Sequence, residues 1–461
     1  MTSRADSARL LSFRMLTEVV GKGAYSNLVS RADPSFLRME PRDRKFAIAL
    51  FYGVLTRSYT LDQYLSTCIR GSLAQLDVQV LVLLRMGAWQ LLYSKNIPTF
   101  AAVNETVTLA REVTHSGSAG LVNAVLRKFA DSMENGTIPS EKEKFDVRYS
   151  LNRELSGCFI KWFGREKAES VASAMLTSPA LCARVNRLRT TPEKLTRILE
   201  AEGVDVKPGV FFPDALQLDL LGTPLSTLPS FQDGLFMIQD EAAMMAAYIL
   251  NPMRGDRILD ICSAPGGKAC HLAELIGDDG RIIAADIKES RLALVEENQA
   301  RLLLRSIDTI VADATKLTPD SLPEGCPTRF DSVLADVPCS GLGLLRKKPE
   351  IRSTMTYAAI MELVEVQKTI LAHAAEFVRP GGTLLYSTCT INPLENQSQM
   401  ETFLANHPDF APYPFPERVP EALGLRASRH KTEANEGYMT LLPDDDACDG
   451  FFIARLRRET E

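Results

Sequence analysis

The sequence predicts a multidomain chain: an all-helical bundle at the N-terminus, a small α+β subdomain, and an α/β domain running to the C-terminus. Three observations predict it. Apolar residues recur at three- and four-residue spacing through residues 1–133. Helical and extended patterns mix over residues 148–231, after a polar stretch at 134–147, ENGTIPSEKEKFDV, that reads as a linker. From residue 232 to 461, short apolar runs alternate with amphipathic segments, which implies a mostly parallel sheet with helices on both faces.

Composition narrows the class. Of 461 residues, 45% are hydrophobic and 24% charged, as in a soluble globular protein with room for two or three domains. No apolar run approaches a membrane span, and the opening MTSRADSARLLSFRML lacks a secretory core. Nine scattered cysteines without CxxC pairs argue against a zinc site and against a disulfide scaffold, so no metal is expected and a reducing cytoplasm is. The net charge of −6 argues mildly against strong nonspecific binding to nucleic acid but leaves room for a local basic face.

The N-terminal helices are read at Ala8–Val20, Asp43–Thr56, Val78–Tyr93, Ala101–Val113 and Ala119–Phe129, separated by glycines and prolines. Arg42, Arg44, Lys45, Arg57, Arg127 and Lys128 line either a basic surface or ordinary solvated helix faces. In the next segment Trp162–Met175 and Pro192–Glu202 read as helices, Leu181–Asn186 and Leu216–Leu220 as strands. Arg184, Arg187 and Arg189 crowd one short run, read as phosphate contacts or as a charged strand edge; the family resemblance given below favours phosphate contacts.

In the C-terminal part, strands are expected at Ile258–Cys262, Ile282–Ala285, Ile307–Val311, Ser332–Ala335 and Thr383–Ser387, with helices at Ala269–Ile276, Arg291–Leu304 and Ala358–Phe377. Gly437–Leu442 and Phe451–Leu456 read as an antiparallel hairpin. The first strand leads into DICSAPGGK, residues 260–268, a strand–glycine turn–helix unit of the kind that binds nucleotides. At successive strand ends stand Asp286, Asp313, Asp336-Val337-Pro338-Cys339 and Ser387-Thr388-Cys389. One strand-end acid is often a helix cap; several on one rim are not so easily explained. Asp286 suits ribose hydroxyls and Asp313 an adenine amine, while the missing third glycine disfavours NAD and favours S-adenosylmethionine. Two cysteines suit methylation at a pyrimidine C5. Thiolate addition at C6 makes C5 nucleophilic, Asp336 would assist at N3, and a second group must help expel the thiolate.

These motifs resemble the RNA cytosine-5 methyltransferases of the NOL1/NOP2/Sun class. The resemblance also takes in Phe236-Met237-Ile238-Gln239-Asp240-Glu241 and Asn392-Pro393-Leu394-Glu395-Asn396. Residues 1–133 resemble the NusB-like RNA-binding domain through Phe51-Tyr52-Gly53, Leu84-Arg85-Met86-Gly87-Ala88-Trp89 and Leu121-Val122-Asn123. Together they match the Fmu/Sun type, the bacterial 16S small-subunit rRNA methyltransferase B family. The resemblance implies a NusB-like bundle, an RNA-contacting subdomain and a Rossmann-like methyltransferase domain. It implies Cys389 as nucleophile and Cys339 as the residue of release. It also implies S-adenosylmethionine contacts at Cys262, Ser263, Ala264, Pro265, Gly266, Gly267, Lys268, Asp286, Asp313 and Asp336. Ser263 stands where many relatives have alanine. DNA cytosine methyltransferases resemble this arrangement but use their Pro-Cys as nucleophile.

The expected partner is small-subunit rRNA presenting a single-stranded or flipped cytosine, with no membrane and no obligate protein partner. A tRNA methyltransferase and a non-catalytic ribosome-assembly factor are the alternatives. Cys68, Cys158, Cys182, Cys270, Cys326 and Cys448 read as small buried hydrophobes. Arg346, Lys347, Lys348 and Arg352, after the Pro-Cys turn, are expected on target-strand phosphates. Lys268 is expected to help keep a cysteine ionised.

Overall fold

The computed structural model describes residues 7–24, 26, 29, 39–138 and 144–460. The chain divides into two compact units. One comprises residues 1–178 together with 345–357, the other residues 179–344 and 358–461.

The first unit is helical. Helices Ser7–Lys22, Pro41–Thr56, Ser58–Cys68, Val78–Tyr93, Thr99–Val113 and Ser116–Glu134 bury their apolar stripes around Leu16, Phe51, Leu83, Leu84, Leu126 and Phe129. The third of these was not expected. Its apolar positions Leu61, Leu65 and Cys68 follow directly on the preceding helix, and only Arg57 separates the two. Two glycines of the quoted motifs are packing requirements. A Cβ on Gly53 would overlap the Trp89 ring, and one on Gly87 would overlap Leu126.

Of the expected linker, residues 139–143 lie outside the described residues, and Phe145–Tyr149 forms a short helix with both aromatic rings buried. The single helix expected over Trp162–Met175 is two, Arg153–Phe163 and Arg165–Ala174, broken at Gly164 with φ of +72°.

The second unit holds two sheets. In the smaller, β1 (Leu181–Val185), β2 (Asp205–Pro208), β3 (Ala215–Asp219) and β4 (Phe236–Ile238) run in the order β2-β3-β1-β4, all antiparallel. The larger contains β5 (Arg257–Asp260), β6 (Arg281–Asp286), β7 (Ile307–Val311), β8 (Phe330–Asp336), β9 (Val378–Thr388), β10 (Phe410–Pro412), β11 (Tyr438–Leu441) and β12 (Phe451–Arg458). Its order is β10-β12-β9-β8-β5-β6-β7, with β11 also on β12. Strands β5 to β9 are parallel; β12 is antiparallel to β9 and is the expected hairpin partner of β11.

Both faces of the parallel part are covered, so successive residues feed two separate cores. Ile258, Ile282, Leu334 and Leu385 pack on one face. Leu259, Ile283, Val333 and Leu384 pack on the other. The chain leaves β5 toward β6 on one side and later returns to β8 on the other. The carboxyl ends of β5 and β8 therefore flank the point where strand order reverses, which is where open α/β sheets hold their ligands.

Candidate active site

The glycine turn caps β5 at that reversal. Ser263 N–H donates to the Ala285 carbonyl at 2.8 Å, tying the turn to β6. Arg291 and Asn298, on helix Glu289–Leu302, donate to the carbonyls of Ala264 (2.7 Å) and Pro265 (3.1 Å). Gly266 sits at φ of +91° as the N-cap of helix Gly267–Leu275, and a Cβ there would press on Val295 at 3.0 Å. Both the backbone angle and the space call for glycine.

Around the turn, polar atoms are left over. Asp260 is buried, and neither carboxylate oxygen makes a hydrogen bond of normal geometry, nor does the Ser263 hydroxyl beside it. Burial first, then the nearby Asp336 charge, pushes the Asp260 carboxyl up to about 7. A buried carboxylate whose oxygens lack hydrogen bonds is an energetic liability that a bound ammonium relieves. An amino-acid-bearing cofactor such as S-adenosylmethionine fits this set of residues.

Asp286, buried at the end of β6, accepts from the Lys288 N–H at 3.2 Å and pairs with Arg291 at 3.2 Å. Asp313 follows β7. Bonds from Thr315 (2.6 Å from the hydroxyl, 3.0 Å from the N–H) and from Lys316 hold its carboxyl below the usual range.

Asp336 ends β8 and is shared: Lys268 Nζ lies 2.5 Å from one oxygen and the Ser387 hydroxyl donates to the other at 2.7 Å. Burial pulls the Lys268 ammonium down, yet Asp336, Cys389 and Asp260 together hold it above an ordinary lysine. Lys268 also lies 5.3 Å from the centre of the Phe451 ring on β12, a neighbour for which the sequence offered no signal.

Beside this ion pair the two cysteines meet. Cys339, after β8, and Cys389, after β9, lie with sulfur atoms 3.3 Å apart. The bond to Cys389, then burial, lifts the Cys339 thiol well above its ordinary value, so it keeps its proton at neutral pH. Cys262 is likewise lifted by burial and the surrounding aspartates, which leaves it no nucleophilic role. Of the other six cysteines, four are buried; Cys158 and Cys326 are half-exposed.

Family models match in the same order as these parts. The 16S rRNA methyltransferase RsmB/F model covers residues 247–457, the NusB family model residues 6–131, and the RsmF/B-like ferredoxin-like domain model residues 158–221. A probable ribosomal RNA small subunit methyltransferase B from Synechocystis is 34% identical, covering 98% of this chain and 99% of the relative. The chain belongs to the RsmB/F family of 16S rRNA methyltransferases. Its counterpart in Bacillus subtilis is 33% identical over 99% of this chain and 100% of that one. Among solved structures, PH0851 superposes with a TM-score of 0.82 at 25% identity, over 99% of this chain and 100% of that one. NSun6 from Pyrococcus horikoshii shares the fold over 68% of this chain and all of its own, with a TM-score of 0.56 at 22% identity.

For this family, two expectations about basic residues need correction. Arg184 is fully buried. Its guanidinium pairs with Glu274 at 2.8 Å and donates to the Gly267 carbonyl at 3.0 Å, so it braces helix Gly267–Leu275 and cannot meet phosphate. Arg352 is also fully buried and donates to the carbonyls of Tyr149 (2.9 Å) and Met175 (2.5 Å). Of the two runs, Arg187, Arg189, Arg346, Lys347 and Lys348 keep some exposure.

Proposed function

We propose that this chain transfers a methyl group from S-adenosylmethionine to C5 of a cytosine in 16S rRNA through a covalent cysteine adduct. The observation that carries the reading is the 3.3 Å pairing of Cys339 and Cys389 at adjoining strand ends, beside the glycine turn. S-adenosylmethionine, when bound, supplies an electrophilic methyl on a sulfonium. Residues 262–268, Asp286, Asp313 and Asp336 would hold it, and Asp260 would meet its ammonium.

Cys389 is the nucleophile of this reading, and its thiolate adds to C6 of the flipped cytosine. Lys268 is a fixed cation within electrostatic reach of that sulfur, which favours the thiolate. Asp336, in its protonated form, is the candidate to donate a hydrogen bond to N3, which withdraws electron density from the ring as addition occurs. Once C5 is methylated, water accepts its proton, the freed electron pair re-forms the C5–C6 double bond, and the bond from C6 to Cys389 breaks with its pair returning to sulfur as thiolate. Cys339, adjacent to the departing sulfur, assists that step.

The test is a denaturing gel after incubating each variant with small-subunit rRNA and S-adenosylmethionine. Cys339→Ala should leave a protein band shifted by linked RNA, while Cys389→Ala should leave none. A shifted band for Cys389→Ala alone would exchange the two roles. Intact methyl transfer in both variants, with no shifted band, would sink the covalent mechanism.

A further inference from the structure

Directly after the Thr-Cys strand end lies a fully buried polar cluster that the mechanism has not used. Glu395 and Asn396 are consecutive, both without solvent exposure, and they reach opposite cysteine loops. Glu395 accepts from the Ser340 N–H at 2.8 Å and from the Ser340 hydroxyl. It also accepts from Gln367 at 2.8 Å, and the same Gln367 amide donates to the Pro338 carbonyl at 2.9 Å. Both neighbours of Cys339 are thus tied to one carboxylate. Asn392 completes its shell at 2.9 Å.

Asn396 does the same for the other loop. Its side-chain oxygen accepts from the Thr388 hydroxyl at 2.6 Å, and its amide donates to the Thr390 carbonyl at 3.1 Å. Both neighbours of Cys389 are tied to one carboxamide. A 2.8 Å bond between the Ser340 and Thr390 hydroxyls joins the two halves, and the Tyr386 hydroxyl holds the Glu395 carbonyl at 2.7 Å. Among the described contacts no cation pairs with Glu395, so its role is not that of a salt bridge. Buried networks of this kind are rigid because every broken bond leaves an unpaired polar group.

We infer that Glu395 and Asn396 are paired positioning residues, Glu395 fixing the releasing Cys339 and Asn396 fixing the nucleophilic Cys389. The inference rests on the covalent reading above. It assigns the two residues to different halves of the reaction. Loosening Cys339 impairs breakdown of the adduct, whereas loosening Cys389 impairs its formation.

The experiment uses the full-length protein, an rRNA transcript and S-adenosylmethionine, and measures turnover and the RNA-linked fraction together. Glu395→Gln should lower turnover by about tenfold or more while the linked band accumulates, as in Cys339→Ala. Asn396→Ala should lower turnover comparably with no linked band above the wild-type level. The same signature in both variants, or turnover unchanged in both, overturns the assignment. Should Glu395→Gln fail to fold, Ser340→Ala removes one bond to the carboxylate and should still accumulate adduct; without accumulation the inference fails. A linked band in Cys339→Ala but not in Glu395→Gln sinks this inference alone. No linked band in Cys339→Ala sinks the covalent reading and this inference with it.

Discussion

At the scale of single residues, Asp260 dominates the electrostatics of the site. Its carboxyl is neutral in the folded protein up to about pH 7, against a starting value of 3.8. Between those values the native state holds a proton that the unfolded chain has lost. Stability therefore falls as pH rises across that window and is level above it, by at most about 4 kcal/mol. Denaturation midpoints measured from pH 4 to 8 without cofactor should show the fall, and Asp260→Asn should flatten it. If Asp260 meets the ammonium of S-adenosylmethionine as proposed, binding favours the ionised carboxylate, and titration calorimetry should show affinity rising over the upper part of the same window, and not in Asp260→Asn. Lys268 makes the complementary case. Removing its charge in Lys268→Met should move the acidic limb of kcat/KM to higher pH. An unmoved limb would refute its effect on the cysteine. The cysteines and strand-end acids were legible as residues because their types and order are specific. The environment that gives Asp260 its behaviour was not, since burial is a property of the folded chain.

At the scale of elements, most of the sheet was readable. Buried parallel strands are continuous apolar runs, and helices between them carry their own period. What failed was what depends on distant partners. Arg184 stood in a basic run and suggested phosphate, but its partner Glu274 lies far along the chain and both are buried. Arg184→Ala would strand that carboxylate, at a cost of about 3–5 kcal/mol, seen as a lowered Tm. It should leave the salt dependence of RNA binding unchanged, because Arg184 touches no solvent. Arg187→Ala, at a half-exposed position in the turn after β1, would flatten that dependence if this turn contacts phosphate. A second close contact ties the site to the C-terminal strand. Gly343 donates to the Cys389 carbonyl at 3.0 Å and accepts from the Gly450 N–H at 3.0 Å, and a Cβ on it would overlap the Gly450 carbonyl. Gly343→Ala should therefore lower both Tm and turnover, since the backbone holding Cys389 must shift.

At the scale of the whole molecule, the three family models span the chain in the same order as the helical, small-sheet and large-sheet parts. Removing residues 1–140 should weaken kcat/KM on rRNA if the helical part docks the substrate; an unchanged value refutes that role. The basic run after Cys339 was legible as charge but not as architecture. Arg352 buries its guanidinium on the carbonyls of Tyr149 and Met175, and its own carbonyl accepts from the Asn152 N–H at 3.0 Å. Its pKa is pushed down to about 9 by burial, so it remains cationic at neutral pH. Arg352→Met should destabilise the first unit by about 3 kcal/mol through lost bonds to buried carbonyls, read as a lower Tm.

That arginine belongs to a segment, residues 345–357, that is part of the first unit although the chain on either side of it is part of the second. The first unit is therefore not encoded by any single uninterrupted stretch of the gene. A polypeptide ending at residue 178 lacks the segment that fills it, and grafting the N-terminal helices of a relative onto this chain joins two halves of a unit that have diverged apart. Recombination can exchange the unit cleanly only by carrying both stretches, and the second begins a few residues beyond the Pro-Cys motif.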